Sequence, residues 1–271
     1  MTLAEIETRG LVLLGCGKMG SAMLVGWLQD GVSPASVWVL DPHPSEWLQG
    51  TGVHINVDLP AAPALVLVAV KPQMMGAALP KLQALGNGET LFVSVAAGTS
   101  IASFEEILGE RTPIVRAMPN TPAAIGQGIT AMIGNAQASA ANLDMTEALL
   151  AAIGQTVRLE SEAQMDAVTG VSGSGPAYVF HLIETLAAAG EAQGLPSDLA
   201  MQLAKATVAG AGALANTAAE SPSQLRVNVT SPNGTTQAAL EVLMQEETGF
   251  PDLLKRAVAA ATHRSKELSR G

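Results

Sequence analysis

Aromatic side chains are scarce in this chain, at 3% of its residues, and charged ones make up only 14%. An interior with so few rings must be filled by Ala, Val, Leu, Ile and Met, and hydrophobic residues reach 48% of the 271. Abundant alanine and little charge suggest that part of the surface is covered by another copy of the chain. There is a single cysteine, Cys16, which excludes an internal disulfide. Four isolated histidines, His43, His54, His181 and His263, lack metal-ligand spacing, so no metal is expected. Positive charge is also short: 14 Lys and Arg against 24 Asp and Glu leave a net −10. Nucleic acid is therefore excluded as a partner, because a phosphate backbone needs clustered cations. The opening MTLAEIETRG has no basic segment leading into an apolar core, so no signal peptide is expected. The most apolar run, AAPALVLVAV, is too short to span a bilayer and contains Pro63. These absences predict a soluble, cytoplasmic protein with no membrane partner.

What is present falls into two halves. In the first, short apolar, β-branched runs alternate with helical stretches: LVLLG (residues 11–15), VWVLD (37–41), LVLVAV (65–70) and LFVSVAAG (91–98) read as strands buried on both faces. Segments such as SAMLVGWLQDG between them have helical period and end at glycine. Strand–helix–strand repetition predicts βαβ units and a parallel-type sheet, an α/β fold. PIVRAMPN, GITAMIG and TVRLE are weaker strand candidates, with MTEALLAAIG a helix among them. From about Glu162 strand signals stop. GPAYVFHLIETLAAAGEAQG opens with Pro176 and closes at Gly194, the next helix is read as capped by Ser197-Asp198, and PDLLKRAVAAATHRSKEL ends the chain. Residues 1–161 thus read as one domain and 162–271 as an all-helical second one, with a close junction.

GCGKMG, Gly15 to Gly20, follows the first strand and opens the first helix. Alone a G-x-G-x-x-G match is weak, but here the second strand ends in Asp41, about twenty residues beyond the loop, as a dinucleotide fold requires. Gly15 permits the turn, Gly17 admits the pyrophosphate to the backbone, Gly20 brings helix and strand together, and the helix N-terminus offers N–H groups. Cys16 is a small filler. A carboxylate at position 41 accepts a ribose 2′-hydroxyl and repels a 2′-phosphate, so these residues lean toward NAD; PHPSE after it supplies no Arg. Two further loops stand at strand ends, where open α/β sheets bind ligands: one ends at Lys71-Pro72, the other carries Ala96, Ala97 and Gly98.

The second half contains a polar knot, Thr230-Ser231-Pro232-Asn233-Gly234-Thr235-Thr236, between two helical stretches. A turn needs fewer hydroxyls than this. From these residues alone, capping a helix and binding a ligand stand as equal readings.

VAVKPQ, SVAAGTSI, RAMPNTPAAIGQG, DAVTGVSGSGPAYVFHLIETLAAAGEAQGLP and LRVNVTSPNGTTQAALEVL follow one another in this order. In that sequence of motifs the chain resembles the Δ1-pyrroline-5-carboxylate reductases, from Gly15 to the last helix. The resemblance implies an N-terminal Rossmann domain binding NADP or NAD and a C-terminal all-helical dimerisation domain. It implies reduction of the C=N bond of 1-pyrroline-5-carboxylate to L-proline, in homodimers that assemble further into rings such as decamers. It places the active site between the nicotinamide and the loop Val229–Thr236. A carboxylate-bearing ring would meet Ser231, Gly234, Thr235 and Thr236, with the Gly234, Thr235 and Thr236 amides cradling the carboxylate at a helix N-terminus. Thr236 meets the ring nitrogen as an orienter, the catalytic position expected. Val229 faces the ring, and Glu162 and Asn120 complete the substrate side. The cofactor set expected is Gly15, Cys16, Gly17, Lys18, Met19, Gly20, Asp41, Asn56, Ala69, Val70, Lys71, Ala96, Ala97 and Asn228. Ser174 is expected to cap the long helix. Two departures stand out: Val227 where the family usually has Asp, and Asn233 where it usually has Gly. The family commonly prefers NADPH, against the lean of Asp41.

Two rival readings are another enzyme of the same two-domain plan, a β-hydroxyacid dehydrogenase or an imine reductase of different substrate range, and a non-catalytic dinucleotide-binding regulator. The first would use a lysine on an early helix of the second domain, where only Lys205 stands, without a neighbouring Asn. The second predicts a damaged knot, and the knot is nearly intact.

Overall fold

The computed structural model describes residues 3–269. They form two compact units, one running to Gly173 and resuming from Ala261, the other Ser174–Ala260.

The first unit holds eight strands: β1 (Leu11–Leu14), β2 (Val37–Leu40), β3 (His54–Ile55), β4 (Leu65–Val68), β5 (Leu91–Ser94), β6 (Ile114–Met118), β7 (Gly128–Gly134) and β8 (Gly154–Arg158). They lie in the order β3-β2-β1-β4-β5-β6-β7-β8. From β3 through β6 every pairing is parallel. The order in which successive strands are added reverses between β1 and β4, which is the switch point where such sheets bind nucleotides. β7 runs antiparallel to β6, and β8 parallel to β7. Only residues 119–127 separate β6 from β7, too few for a crossover helix, so the chain must turn back on itself.

Both sheet faces are covered, as the continuous apolar runs require. Leu11 and Leu13 point into one cluster with Met23, Leu24 and Trp27, whereas Val12 and Leu14 point into another with Val66, Phe92 and Phe104. The buried Trp27 indole donates to the Leu149 carbonyl at 2.9 Å, joining the Lys18–Gln29 helix to the Ala140–Leu150 helix. The Leu3–Arg9 helix and β3 are among the elements that the sequence reading does not contain. The two-residue β3 is held by register with β2 and by His54 stacking on Trp38, with ring centroids 4.4 Å apart.

The second unit is helical: Gly175–Ala192, Ser197–Thr217, Pro222–Asn228, Thr235–Leu243 and the first turns of Phe250–Leu268. The first two pair through Ala187, Ala200 and Ala204, the small residues that permit close approach. Ser174 occupies the N-cap position but makes no side-chain cap bond, because a π-turn over Thr169–Gly173 leads directly into the helix. Gly194, with φ +93°, follows its end. The cap of the next helix is Pro196 rather than Ser197, whose hydroxyl donates instead to Glu191 Oε1 at 2.8 Å. Among the described residues no helix is long and apolar enough to cross a membrane.

Candidate active site

The glycine loop leaves β1 beside the end of β4. Gly15 has φ +90°, a conformation that costs a side chain dearly, and its N–H donates to the Leu40 carbonyl at 2.8 Å. A Cβ on Gly20 would lie 2.3 Å from the Gly15 carbonyl oxygen, so helix and turn touch there as bare backbone. Over Gly17 there is open space: a Cβ would meet nothing within 4 Å. Among the described residues nothing accepts from the N–H groups of Lys18, Met19 or Gly20, the first turn of the helix. Open space above bare backbone, unengaged donors and the positive end of a helix fit a dinucleotide pyrophosphate. Burial, followed by the nearby Asp41 carboxylate, pushes the Cys16 thiol up to about 11, so at neutral pH it is an uncharged filler.

Asp41 leaves β2 with both carboxylate oxygens engaged. Oδ2 accepts from the Cys16 N–H at 2.7 Å and Oδ1 from the His43 N–H at 2.8 Å. Asn56 grips the Asp41 backbone, its Oδ1 accepting from the N–H at 3.0 Å and its Nδ2 donating to the carbonyl at 2.7 Å. Asn56 has φ 52°, tolerable for Asn where most side chains are strained. Ala69, Val70 and Lys71 follow β4; the Ala69 N–H donates to the Leu14 carbonyl at 2.8 Å, and Lys71 is exposed. Ala96 and Ala97 follow β5, with the Ala96 N–H donating to the Ser94 hydroxyl at 3.2 Å. The sheet thus brings the ends of β1, β2, β4 and β5 side by side.

Glu162 is anchored in the same unit. Its Oε1 accepts from Arg116 Nη1 at 2.6 Å and from the Ile101 N–H at 2.9 Å, at the start of the Ile101–Leu108 helix. It therefore ties the loop after β5 to β6. Arg116, only 6% exposed, was not singled out from sequence. An arginine inside the apolar run PIVRAM was the available signal, since a buried cation demands a partner. Asn120 Oδ1 accepts from the Ile129 N–H at 3.0 Å and closes the turn between β6 and β7.

The polar knot lies wholly in the helical unit. Ser231 to Gly234 form a turn in which the Gly234 N–H donates to the Ser231 carbonyl at 3.0 Å. Pro232 and Asn233, the latter with φ 57°, occupy its centre as in a type II turn. The departure from glycine at 233 is thus absorbed, since Asn accepts a left-handed backbone. The expectation that all three amides would be free is corrected for Gly234, whose N–H closes this turn. The Thr230 hydroxyl donates to the Arg226 carbonyl at 2.6 Å, and the Asn233 N–H to Gln237 Oε1 at 2.8 Å. Among the described residues, no partner takes the hydroxyls of Ser231, Thr235 or Thr236, or the Thr235 and Thr236 N–H groups. The capping reading accounts for only part of the knot, because Gly234 caps the Thr235–Leu243 helix without any side-chain bond. Beside it, Val229 is 64% exposed and Asn228 Oδ1 accepts from Gln224 Nε2 at 2.8 Å. Lys205, required by the dehydrogenase-like rival, is exposed on the Ser197–Thr217 helix.

A Rossmann sheet with this loop, followed by a helical unit with an anion-ready helix start, defines an NAD(P)-dependent oxidoreductase of two-part build. The chain is 40% identical to the pyrroline-5-carboxylate reductase of Pseudomonas aeruginosa over 270 residues, covering 97% of this chain and 98% of the other. It belongs to the pyrroline-5-carboxylate reductase family. A family model for pyrroline-5-carboxylate reductase dimerisation matches residues 162–268, and one for coenzyme F420-dependent NADP oxidoreductases matches residues 10–98. A solved pyrroline-5-carboxylate reductase from Coxiella burnetii superposes with a TM-score of 0.90 at 33% identity, covering 97% of this chain and 99% of that one. The Plasmodium falciparum pyrroline carboxylate reductase, solved with NADP bound, superposes with a TM-score of 0.83 at 28% identity, covering 97% and 99%.

Proposed function

We propose that this protein reduces 1-pyrroline-5-carboxylate to L-proline, the last step of proline biosynthesis. The observation that carries this reading is the knot: unengaged hydroxyls on Ser231, Thr235 and Thr236 beside two free amides at a helix start. A small ring bearing a carboxylate and an imine nitrogen has need of both donor kinds. The Thr235 and Thr236 N–H groups, at the positive end of the helix, bind the carboxylate, and Ser231 adds a hydroxyl. Gly234 leaves the approach free of a side chain. The Thr236 hydroxyl orients the ring nitrogen, and Val229 offers the ring an apolar surface. A protonated imine is already electrophilic, so positioning matters more than acid–base power, and the knot holds no carboxylate or imidazole. Reduced nicotinamide dinucleotide, held by residues 15–20, Asp41, Asn56, residues 69–71, Ala96 and Ala97, would supply the hydride.

Glu162 and Asn120 are assigned to substrate binding by the family resemblance, and their bonds to Arg116, Ile101 and Ile129 fix both side chains within the first unit. The functional division lies at 161/162. The working form is a homodimer, assembled further into a ring such as a decamer; exposed Phe180, Leu203 and Leu214 in the helical unit are in keeping with cover by another copy. Its location is cytoplasmic, consistent with an unpaired Cys16. Purified protein is expected to oxidise NADH or NADPH when 1-pyrroline-5-carboxylate is added. Binding of the dinucleotide with no turnover of this imine would overturn the reading and favour a regulator.

A further inference from the structure

The way Asp41 is held decides more than the presence of a carboxylate. We propose that the clamped Asp41 makes this chain select NADH over NADPH, with Asn56 as its positioning residue. This inference rests on residues 15–20 being the dinucleotide site.

At the end of the strand next to β1, a carboxylate stands where the adenosine ribose of a bound dinucleotide is expected. A lone aspartate there can rotate aside and admit a 2′-phosphate. Here that rotation is opposed at two points, and the backbone that carries the side chain is held at two more. The two carboxylate oxygens accept from the Cys16 and His43 N–H groups at 2.7 and 2.8 Å. The backbone N–H and carbonyl are paired with Asn56 at 3.0 and 2.7 Å. Turning the side chain away would break two bonds, one of them to the glycine loop itself. Each oxygen keeps acceptor capacity toward a ribose hydroxyl.

A 2′-phosphate would bring nearly two negative charges against this fixed one. The segment after Asp41, Pro42 to Gln49, contains Glu46 and neither Arg nor Lys. The candidate groups to offset the repulsion are His43 and the exposed Lys18 in the first turn of the helix. Neither is bonded to Asp41 through its side chain among the described residues. The balance of fixed charge therefore favours the unphosphorylated ribose.

The test is a binding titration without imine, following nicotinamide fluorescence or heat, on the intact protein. NADH is expected to bind about ten- to a hundredfold more tightly than NADPH. Asp41→Ser should bring the two affinities together or reverse their order. Asn56→Ala should narrow the ratio while NADH still binds, an effect that a purely structural role, weakening both cofactors alike, would not produce. Equal or tighter NADPH binding in the unchanged protein would overturn the proposal and leave the dinucleotide site standing. So would an unaltered ratio in a folded Asp41→Ser variant. Binding of neither cofactor would overturn the site and the proposal together.

Discussion

The glycine loop and the polar knot solve a similar problem with opposite residues. Each leads into a helix whose first-turn N–H groups have no acceptor among the described residues. The first loop leaves its backbone bare at Gly15, Gly17 and Gly20. The second is armed with hydroxyls and keeps one glycine, whose N–H is tied into a turn. A helix N-terminus sets only the sign of the ligand's charge. What surrounds it sets the ligand's shape: a long diphosphate must lie close along the chain, whereas a small ring needs donors aimed at separate atoms.

Substitutions at three positions sharpen or break this contrast. The largest effect is expected from Gly20→Val, because its Cβ would start 2.3 Å from the Gly15 carbonyl oxygen. Dinucleotide affinity should fall by about a hundredfold or more, measured by titration with circular dichroism as a check on folding. A folded variant that binds normally would show that close backbone contact is not what the loop is for. Next comes Thr236→Ala, which should lower kcat/KM about ten- to a hundredfold, as loss of one hydrogen bond to a charged group implies. The dissociation constant for the dinucleotide should stay unchanged and Thr236→Ser should recover most of the activity. Full activity in the alanine variant would return the knot to a mere cap. The smallest effect is expected at Asn233, whose φ is 57°. Asn233→Gly should shift stability by less than about 1 kcal/mol, and Asn233→Val should cost about 1–2 kcal/mol. Thermal unfolding followed by circular dichroism decides it, and equal midpoints for both would mean the turn relaxes without a left-handed residue.

Much of the α/β half is legible in the sequence because its central strands are short, continuous apolar runs. β1, β2, β4 and β5 each fall within a run read as strand. β3 is not legible: two residues cannot display a period, and it exists because β2 has a free edge beside it. The return of β7 against β6 follows from a connection too short for a crossover, a constraint that apolar patterning does not express. At Ser197 the composition suggested a cap, yet Pro196 already occupies that position. In the knot, residue types announced a cluster of donors but not which were engaged. Gly234 is internally bonded and Thr236 is not, and only the path of the turn separates them.

By itself the sequence determined the division into a sheet-bearing and a helical half, the glycine loop, the acid at 41, the hydroxyl-rich knot and the family. These are properties of short stretches, carried by side-chain size, polarity and spacing. The partnerships of the polar groups were decided by tertiary structure alone. Glu162 meets Arg116 across 46 residues, and the Cys16 N–H meets Asp41 across 25. The physical reason is that the order of strands in the sheet brings distant strand ends within hydrogen-bonding distance, and no local pattern encodes that order.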